Sequence, residues 1–288
     1  MIWVELAING VFLGMLYAMF GLGLSLIFGV MRIANIAHGE LVVAGAFLAF
    51  LGAGHFGLNP FQFIVPIGGL MFALGWLLQS QLVNRVHGAD PIPSLLLTFG
   101  VSIIAQNAMV LAFGANTRSI DVGALKSSSV TVLGLELGVL PLITSAIALL
   151  VFGGLHLVLT RTRIGRNIRG AADDPEVLRM FGINPKRVFA LVMAISAVLA
   201  AIAGVLMAMR TTFTPFSGAE RLLLAFEVVV IGGLGSIRAT LVGGILIGVV
   251  HVFSFRFDPA SGLVYGHILL ILVLLLKPSG IAGKKVTR

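Results

Sequence analysis

The 25 residues Leu6–Val30, LAINGVFLGMLYAMFGLGLSLIFGV, contain no formally charged side chain. A bilayer core of roughly 30 Å requires about 20 helical residues at about 1.5 Å each. This run is therefore long enough to cross a membrane as one helix. It also exceeds the roughly 7–15-residue apolar region of a signal peptide, and no basic residue precedes it. We expect it to remain in the mature protein as the first span.

The composition of the whole chain agrees with a membrane protein. Hydrophobic residues make up 58% of the 288 residues and charged residues 10%, against roughly 25% charged in a typical soluble domain. A disordered chain is excluded, because disorder needs low hydrophobicity and high charge density. The absence of cysteine excludes a disulfide, a thiol nucleophile or a Cys-ligated metal. We predict an all-α, polytopic transmembrane helical bundle in which residues 1–288 form a single domain.

Eight further apolar runs predict the remaining membrane segments, which should be helical because lipid offers no partner to unpaired backbone groups. They are Leu41–Gly54, Phe61–Val83, Ser94–Gly114, Leu137–Leu159, Val188–Met209, Leu222–Gly235, Ala239–Phe255 and Gly262–Leu276.

The basic residues predict the orientation. Residues 161–187 contain seven of the 19 Lys and Arg, and nine crossings with an outside N-terminus place 14 of the 19 inside. If residues 222–236 instead form a broken or re-entrant helix, eight crossings remain, and ten of the basic residues lie inside and nine outside. The positive-inside rule therefore favours nine crossings, with eight as the alternative. The net charge of +8 then reflects cytoplasmic loops and not nucleic-acid binding.

Motifs for covalent chemistry are missing from the sequence. It contains no P-loop, no HExxH and no GxSxG, and its six histidines never occur at metal-ligand spacing. We therefore expect no catalytic residue, no cofactor and no metal site, and we predict that the chain is not an enzyme.

A polar segment interrupts the first two apolar runs, and it includes Asn35, His38, Gly39 and Glu40. A full-length second span must begin near Ile36, which brings His38 and Glu40 into or against the membrane. A charge at mid-membrane costs roughly 2.5–3.5 kcal/mol on insertion scales, so such residues usually face a protein interior or a wet cavity. The functional interpretation is a translocation pathway with a bend at Gly39. The structural alternative is an interfacial turn with a solvated Glu40.

A second candidate for the pathway lies at residues 227–236, EVVVIGGLGS. Glu227 stands within an apolar run, and Gly232, Gly233 and Gly235 weaken a helix by roughly 1 kcal/mol each. These residues indicate a bend beside a pathway, with helix packing as the alternative. Residues 32–40 and 210–220 also resemble each other, with an apolar helix, an arginine and a short polar gap before HGE or SGAE. This is a pattern that an inverted repeat would produce.

The third candidate is the basic loop 161–187, in which residues 173–182 read DDPEVLRMFG. The sequence predicts a helix of about two turns with Asp173 and Glu176 as a capping box, proline in its first turn and a stop at Gly182. A helix this short is unstable alone in water, so it needs a docking partner, either this protein's own membrane domain or a second protein. Contact of the arginines with anionic lipid is the simpler alternative. The residues expected to contact the partner are Arg169, Ala172, Asp173, Asp174, Pro175, Glu176, Val177, Leu178, Phe181 and Gly182.

The same segments carry a family resemblance. The runs GLGLSLIFGVMRIANIAHGE (21–40), GRNIRGAADDPEVLRMFGIN (165–184), VVVIGGLGSI (228–237) and KPSGIAG (277–283) resemble those of LivH-type permease subunits of branched-chain amino acid ABC importers. The resemblance implies an all-helical permease of the bacterial inner membrane. It also implies that residues 169–183 form the element that docks into an ATPase.

The partners implied by this resemblance are a second, LivM-like permease subunit, two cytoplasmic ATP-binding subunits and an extracytoplasmic substrate-binding protein. Leucine, isoleucine and valine, other amino acids, amides and urea remain open as substrates, as do a hetero- or homodimeric permease pair. An ion- or proton-coupled secondary transporter or channel is the alternative function, because His38, Glu40 and Glu227 are ionisable groups within the membrane.

Overall fold

The computed structural model describes residues 2–56, 59–88, 90–259 and 261–282. These residues form a helical bundle with one small hairpin. The helices are α1 (Ile2–Met31), α2 (His38–Phe56), α3 (Ile64–Leu77), α4 (Asn84–Val86), α5 (Ile92–Phe113), α6 (Ala124–Ser127), α7 (Val139–Arg161), α8 (Arg163–Asp173), α9 (Pro175–Met180), α10 (Pro185–Arg210), α11 (Ser217–Gly232), α12 (Ile237–Phe257) and α13 (Gly262–Leu276).

Two segments extend α3 at its ends. A 3₁₀ turn, Pro60–Phe63, precedes it, and a π-helical segment, Leu78–Val83, joins it to α4. Together they make the span Pro60–Val86. The hairpin consists of β1 (Ser129–Val132) and β2 (Leu135–Gly138), which are antiparallel with Val130 opposite Leu137. Neither this hairpin nor α8 was expected from the apolar pattern, because neither contains a long apolar run.

Within the described part of the chain, six helices are long and apolar enough to cross a membrane, which is fewer than the eight or nine crossings expected. They are Ile2–Met31, Pro60–Val86, Ile92–Phe113, Val139–Arg161, Pro185–Arg210 and Ile237–Phe257. The expected second, seventh and ninth spans correspond to α2 with 19 residues, α11 with 16 and α13 with 15. Helices α2 and α11 fall short because they begin inside the bundle, and α13 has only 15 residues, fewer than the roughly 20 that a full span needs.

The centre of the bundle is formed by α1 and α10. In the most apolar 18-residue stretch of each helix, 72% of the residues are buried in α1 and 78% in α10, but only 11% in α5. The two central helices are antiparallel, because Gly23 lies against Ser196 while Phe12 accepts a hydrogen bond from Arg210. Each central helix packs against a further span, α1 against α12 and α10 against α3. The remaining face of α5 is free for lipid or another subunit.

Small residues let α1 and α12 approach closely. An added Cβ at Gly244 would lie 2.6 Å from the backbone nitrogen of Ala18, and one at Gly248 would overlap the backbone of Gly14. In a membrane, close backbone approach gives van der Waals packing in place of a hydrophobic driving force. These two glycines therefore act as packing residues for the α1–α12 pair.

We predict that Gly248→Val destabilises the bundle by about 1–3 kcal/mol, because the added side chain forces apart two backbones. The matched control is Gly153→Val in α7, where an added Cβ meets no atom within 4 Å. Thermal unfolding of the detergent-solubilised chain, followed by size-exclusion chromatography, compares the two. Equal thermal midpoints for both variants would contradict the assigned packing role.

Candidate functional site

The N-terminus of α2 lies in the middle of the bundle. The chain leaves α1 at Arg32, whose φ of 54° ends the helix, and residues 32–37 return along α1 before α2 begins. His38 Nε2 lies 2.8 Å from the carbonyl oxygen of Phe20. Phe20 is 11 residues before the end of α1, or about 16 Å along its axis. Helix α2 is therefore discontinuous with the preceding span and starts inside the bundle, well away from the end of α1.

Helix α11 has the same form in the second half of the chain. Helix α10 ends at Arg210, residues 211–216 are not helical, and α11 begins at Ser217. The starts of α2 and α11 meet, since an added Cβ on Gly39 would overlap the carbonyl oxygen of Gly218. Because α1 and α10 are antiparallel, the two helix–gap–helix units are inverted relative to each other. This arrangement gives the similarity between residues 32–40 and 210–220 a structural basis.

Glu40 lies where these two helix starts meet, a place that we call the junction. Its side chain is 3% exposed, and an added Cβ on Gly218 would overlap its carboxylate. The first turns of α2 and α11 both direct positive partial charge toward this point, and a carboxylate there is electrostatically favourable. Gly39 lies within the first turn of α2 and not at a bend, so its lack of a side chain serves the contact with Gly218.

The neighbouring polar groups orient the junction. Asn35 Oδ1 accepts a hydrogen bond from the Ala37 amide at 3.1 Å, and its amide group lies 3.4 Å from the sulfur of Met193. His38 Nδ1 and Glu40 Oε2 are buried and have no hydrogen-bond partner among the described residues. Asn35 thus shapes the turn, whereas His38 and Glu40 retain unused polar atoms.

Helix α5 supplies a polar stripe beside the junction, which was not expected from the sequence motifs. The Ser102 hydroxyl lies 3.5 Å from Glu40 Oε1, and Thr98 Oγ1 accepts from the Ile36 amide at 3.2 Å. Ser94 lies one turn before Thr98 and Gln106 one turn after Ser102, so the four residues share one face of a helix whose other side chains, apart from Asn107, are apolar. Their four-residue spacing is the sequence signal that could have revealed them.

Glu227 is buried away from the junction, at 1% exposure in the middle of α11. Its carboxylate pairs with the Nδ1 atom of His267 on α13, whose side chain is 47% exposed. On the neighbouring helices, His251 Nδ1 lies 3.3 Å from the Tyr17 hydroxyl. The structure therefore separates Glu227 from His38 and Glu40, and it places Glu227 in a link between α11 and α13. His267 was not expected, because nothing in the sequence pairs it with residue 227.

The glycines after Glu227 make backbone contacts at the other end of α11. Gly232 lies against the carbonyl of Ala239, Gly233 lies against Gly280, and Gly235, with a φ of 76°, lies against Gly29. The amides of Ile281 and Ala282 donate to the carbonyl oxygens of Ile231 and Gly232 at 2.8 and 2.9 Å. The chain does bend here, and the described tail closes over the bend.

Helices α8 and α9 project from the end of the molecule opposite the hairpin, because the 23 residues of α7 separate them. The expected capping box is wrong in its first residue. Asp174, not Asp173, caps α9 and accepts from the amides of Glu176 and Val177 at 2.8 and 3.1 Å. Asp173 instead ends α8, so α9 has only six residues. The expected stop at Gly182 is confirmed by its φ of 75°.

The side chains of α9 divide between an inner and an outer face. Leu178 is 8% exposed and packs toward Gly170 of α8. Val177, Met180 and Phe181 are 46%, 86% and 77% exposed. Arg169 and Ala172 belong to α8 and border cavities between α8 and the bundle. The outer face of α9 is thus an unusually apolar patch on a polar segment.

The described residues contain no group of three or more His, Cys, Asp or Glu positioned to hold a metal ion.

Comparison with known proteins places these features in a family. A family model described as "Branched-chain amino acid transport system / permease component" matches residues 6–276. The permease protein BraD of Pseudomonas aeruginosa is 29% identical over 98% of this chain and 96% of its own length. LivH of Salmonella typhimurium is 30% identical, covering 96% and 94%. LivM of Escherichia coli is 28% identical, covering 93% of this chain and 68% of LivM. All three are named as high-affinity branched-chain amino acid transport system permease proteins.

The link between Glu227 and His267 can be tested by a double-mutant cycle. We predict that His267→Ala lowers the thermal stability of the solubilised chain, because the buried Glu227 carboxylate loses its partner. In the Glu227→Gln background the same substitution should cost less, with a coupling of about 0.5–3 kcal/mol.

His55→Ala is the matched control, since this exposed histidine is also on a membrane helix. If the effects of Glu227→Gln and His267→Ala on thermal stability were additive, the two side chains would not stabilise each other, which would contradict the pair.

Proposed function

Because the chain belongs to the family of branched-chain amino acid transport permease components, we propose that it is the membrane-spanning permease subunit of an ABC importer. It is a multi-pass protein of the inner membrane. It forms part of the translocation pathway for branched-chain or other hydrophobic amino acids, and ATP hydrolysis on separate subunits drives transport. Family membership over residues 6–276 is the observation that carries this assignment.

The assembly follows from the same relationship. The chain is related both to LivH and to LivM proteins, which supports pairing with a second, LivM-like permease subunit. Two cytoplasmic ATP-binding subunits and an extracytoplasmic substrate-binding protein complete the proposed importer. In this assembly the permease performs no covalent chemistry itself, and the motor must be coupled to it mechanically.

The junction is the part of the pathway that we propose on structural grounds. Two helix starts meet there at mid-membrane depth, as in transporters whose substrates bind between discontinuous helices. Asn35, His38, Gly39 and Glu40 form one side, and the polar stripe of α5 forms the other. Since α5 is the least buried of the six long helices, a small displacement of α5 would open the junction. Glu227, Gly232, Gly233 and Gly235 support the pathway by holding α11, whose start forms part of the junction.

The coupling element is the outer face of α9. Its helix is fixed by the Asp174 cap and the inward Leu178, so Val177, Met180 and Phe181 remain available to an ATPase groove. Glu176 and Arg179 flank this patch and can pair with charges on the ATPase. Displacement of α9 would move α10, because α9 is joined to it by the short turn 181–184. Asn184 caps α10 by accepting from the Lys186 amide at 3.0 Å, which makes this connection short and defined.

We predict that Glu40→Gln lowers amino acid uptake about tenfold, because a neutral amide removes the charge that faces both helix starts. Uptake of labelled leucine into proteoliposomes containing the whole importer measures the effect. Glu5→Gln at the first turn of α1 is the control and should leave uptake within about twofold of the parent, since single surface charges contribute little. Unchanged uptake by Glu40→Gln would exclude the junction from the pathway.

A second experiment addresses coupling. We predict that Phe181→Ala reduces co-purification of the ATPase subunits about tenfold, because an exposed aromatic anchor is the type of residue that dominates interface energy. The amount of permease in the membrane should stay unchanged, since Phe181 is 77% exposed and contributes little to folding.

Leu133→Ala serves as the control for coupling. Leu133 is 91% exposed at the hairpin tip, at the opposite end of the molecule. Equal ATPase recovery with both variants would contradict docking through α9.

A further inference from the structure

A large cavity lies at the cytoplasmic end of the bundle, away from both the junction and the exposed face of α9. Its volume is about 970 Å³. The end of α7, helix α8, the turn between α11 and α12, the end of α13 and the tail all contribute to its walls. Nothing in the proposed transport cycle uses this space.

The polar wall of the cavity is positively charged. Arg169 and Arg238 line it together with His156, and none of the described residues that line it carries a carboxylate. The guanidinium of Arg238 donates to His156 Nε2 at 3.3 Å, which holds these two side chains together at the wall. Ser236 caps the N-terminus of α12 at the same wall, and the positive end of this 21-residue helix adds to the potential. An anionic group is the complementary ligand.

The cavity also has an apolar lining. Leu159, Leu234 and Leu274 line the cavity, and the last two are 48% and 41% exposed. On the helices at either side, Leu157 of α7 and Leu275 of α13 are 59% and 76% exposed. The cavity is therefore bordered by surfaces suited to contact with acyl chains.

A smaller cavity continues the space into the membrane. It has a volume of about 150 Å³ and shares Leu159, Arg169, Gly235 and Ile237 with the larger one. Its inner end is lined by Ser25, which is fully buried and whose hydroxyl has no partner among the described residues. Ser25 precedes the end of α1 by six residues, or about 9 Å. The combined space thus begins at headgroup level and reaches below it.

We propose that this cavity binds one anionic phospholipid of the cytoplasmic leaflet. The phosphate is held by Arg169, Arg238 and His156 at the start of α12, and an acyl chain lies against Leu159, Leu234 and Leu274. Basic pockets between membrane helices on the cytoplasmic side have the required combination of charge and depth. A bound lipid would connect α7 and α8 to α12 and α13, and so would tie the coupling segment to the second half of the bundle.

An ATPase subunit is a less suitable occupant. It would approach from the cytoplasm and reach the outer edge, where Arg169 and Ser279 lie, but a folded domain would leave the part near Ser25 empty. A phospholipid fills both parts, because its phosphate suits the basic side chains and its acyl chain suits the apolar ones.

Native mass spectrometry of the full-length chain, with the subunits that co-purify with it, tests the proposal. The delipidated protein is mixed with phosphatidylglycerol, with phosphatidylcholine of the same chains, or with soluble glycerol phosphate. We expect retention of one phosphatidylglycerol molecule, weaker retention of phosphatidylcholine and no competition by glycerol phosphate. Equal retention of both lipids, or displacement of the lipid by glycerol phosphate, would overturn the proposal.

The double variant Arg169→Gln/Arg238→Gln should lower phosphatidylglycerol affinity on the order of tenfold, as expected for two basic residues near a phosphate. Arg161→Gln/Arg166→Gln removes the same charge from exposed positions that do not line the cavity, and it should retain the lipid. If both double variants lost the same affinity for phosphatidylglycerol, the effect would come from overall charge, and the proposed site would be refuted.

A photo-crosslinking residue at position 274 identifies the occupant without removing either arginine. Crosslinking to phosphatidylglycerol is the expected result, and crosslinking to an ATPase subunit in its place would overturn the assignment. The readout is lipid occupancy and not transport, so the outcome is independent of whether the proposed function is correct.

Discussion

The structure depends on the requirement that polar groups within a membrane find their partners inside the protein. Each of the two interrupted spans exposes the amides at the start of a helix, which lipid cannot satisfy. The two starts meet at the centre of the bundle, where Gly39 and Gly218 allow their backbones to touch and Glu40 supplies negative charge. One helix start alone would be unfavourable in lipid. Two facing starts around a carboxylate form a compact polar centre within an apolar bundle.

This centre also explains why α1 and α10 are the most buried helices. Each leads into one of the interrupted units, and their antiparallel contact sets the height at which the two gaps meet. The outer helices are less constrained. Helix α5 contributes hydroxyl groups to the centre yet leaves most of its surface exposed, a combination suited to an element that moves during transport. Helix α13 is attached through the His267–Glu227 pair, which fixes a peripheral helix to the element that forms half of the junction.

The end of the molecule that carries α8 and α9 combines two surfaces of different chemistry. The apolar outer face of α9 suits a protein groove, whereas the basic cavity behind α8 suits a phospholipid. Arg169 illustrates the division, since it belongs to the segment that the family resemblance assigns to the ATPase but lines the cavity behind α8. Neighbouring residues of α8 and α9 thus face two different surfaces. Which surface a residue faces depends on where each helix begins and ends.

The sequence by itself determined the membrane class, the positions of the long helices, the short capped helix α9 and the family, because length, apolar composition and local capping are encoded within short stretches. It also located His38, Glu40 and Glu227 as exceptional residues. It overestimated the number of long membrane helices, since an apolar run has the same composition whether its helix begins at the edge of the bundle or inside it. Only the tertiary structure paired Glu40 with Gly218 and Glu227 with His267, and brought Arg169 beside Arg238. These partners are far apart in the chain, and their proximity is decided by helix packing, which no local pattern records.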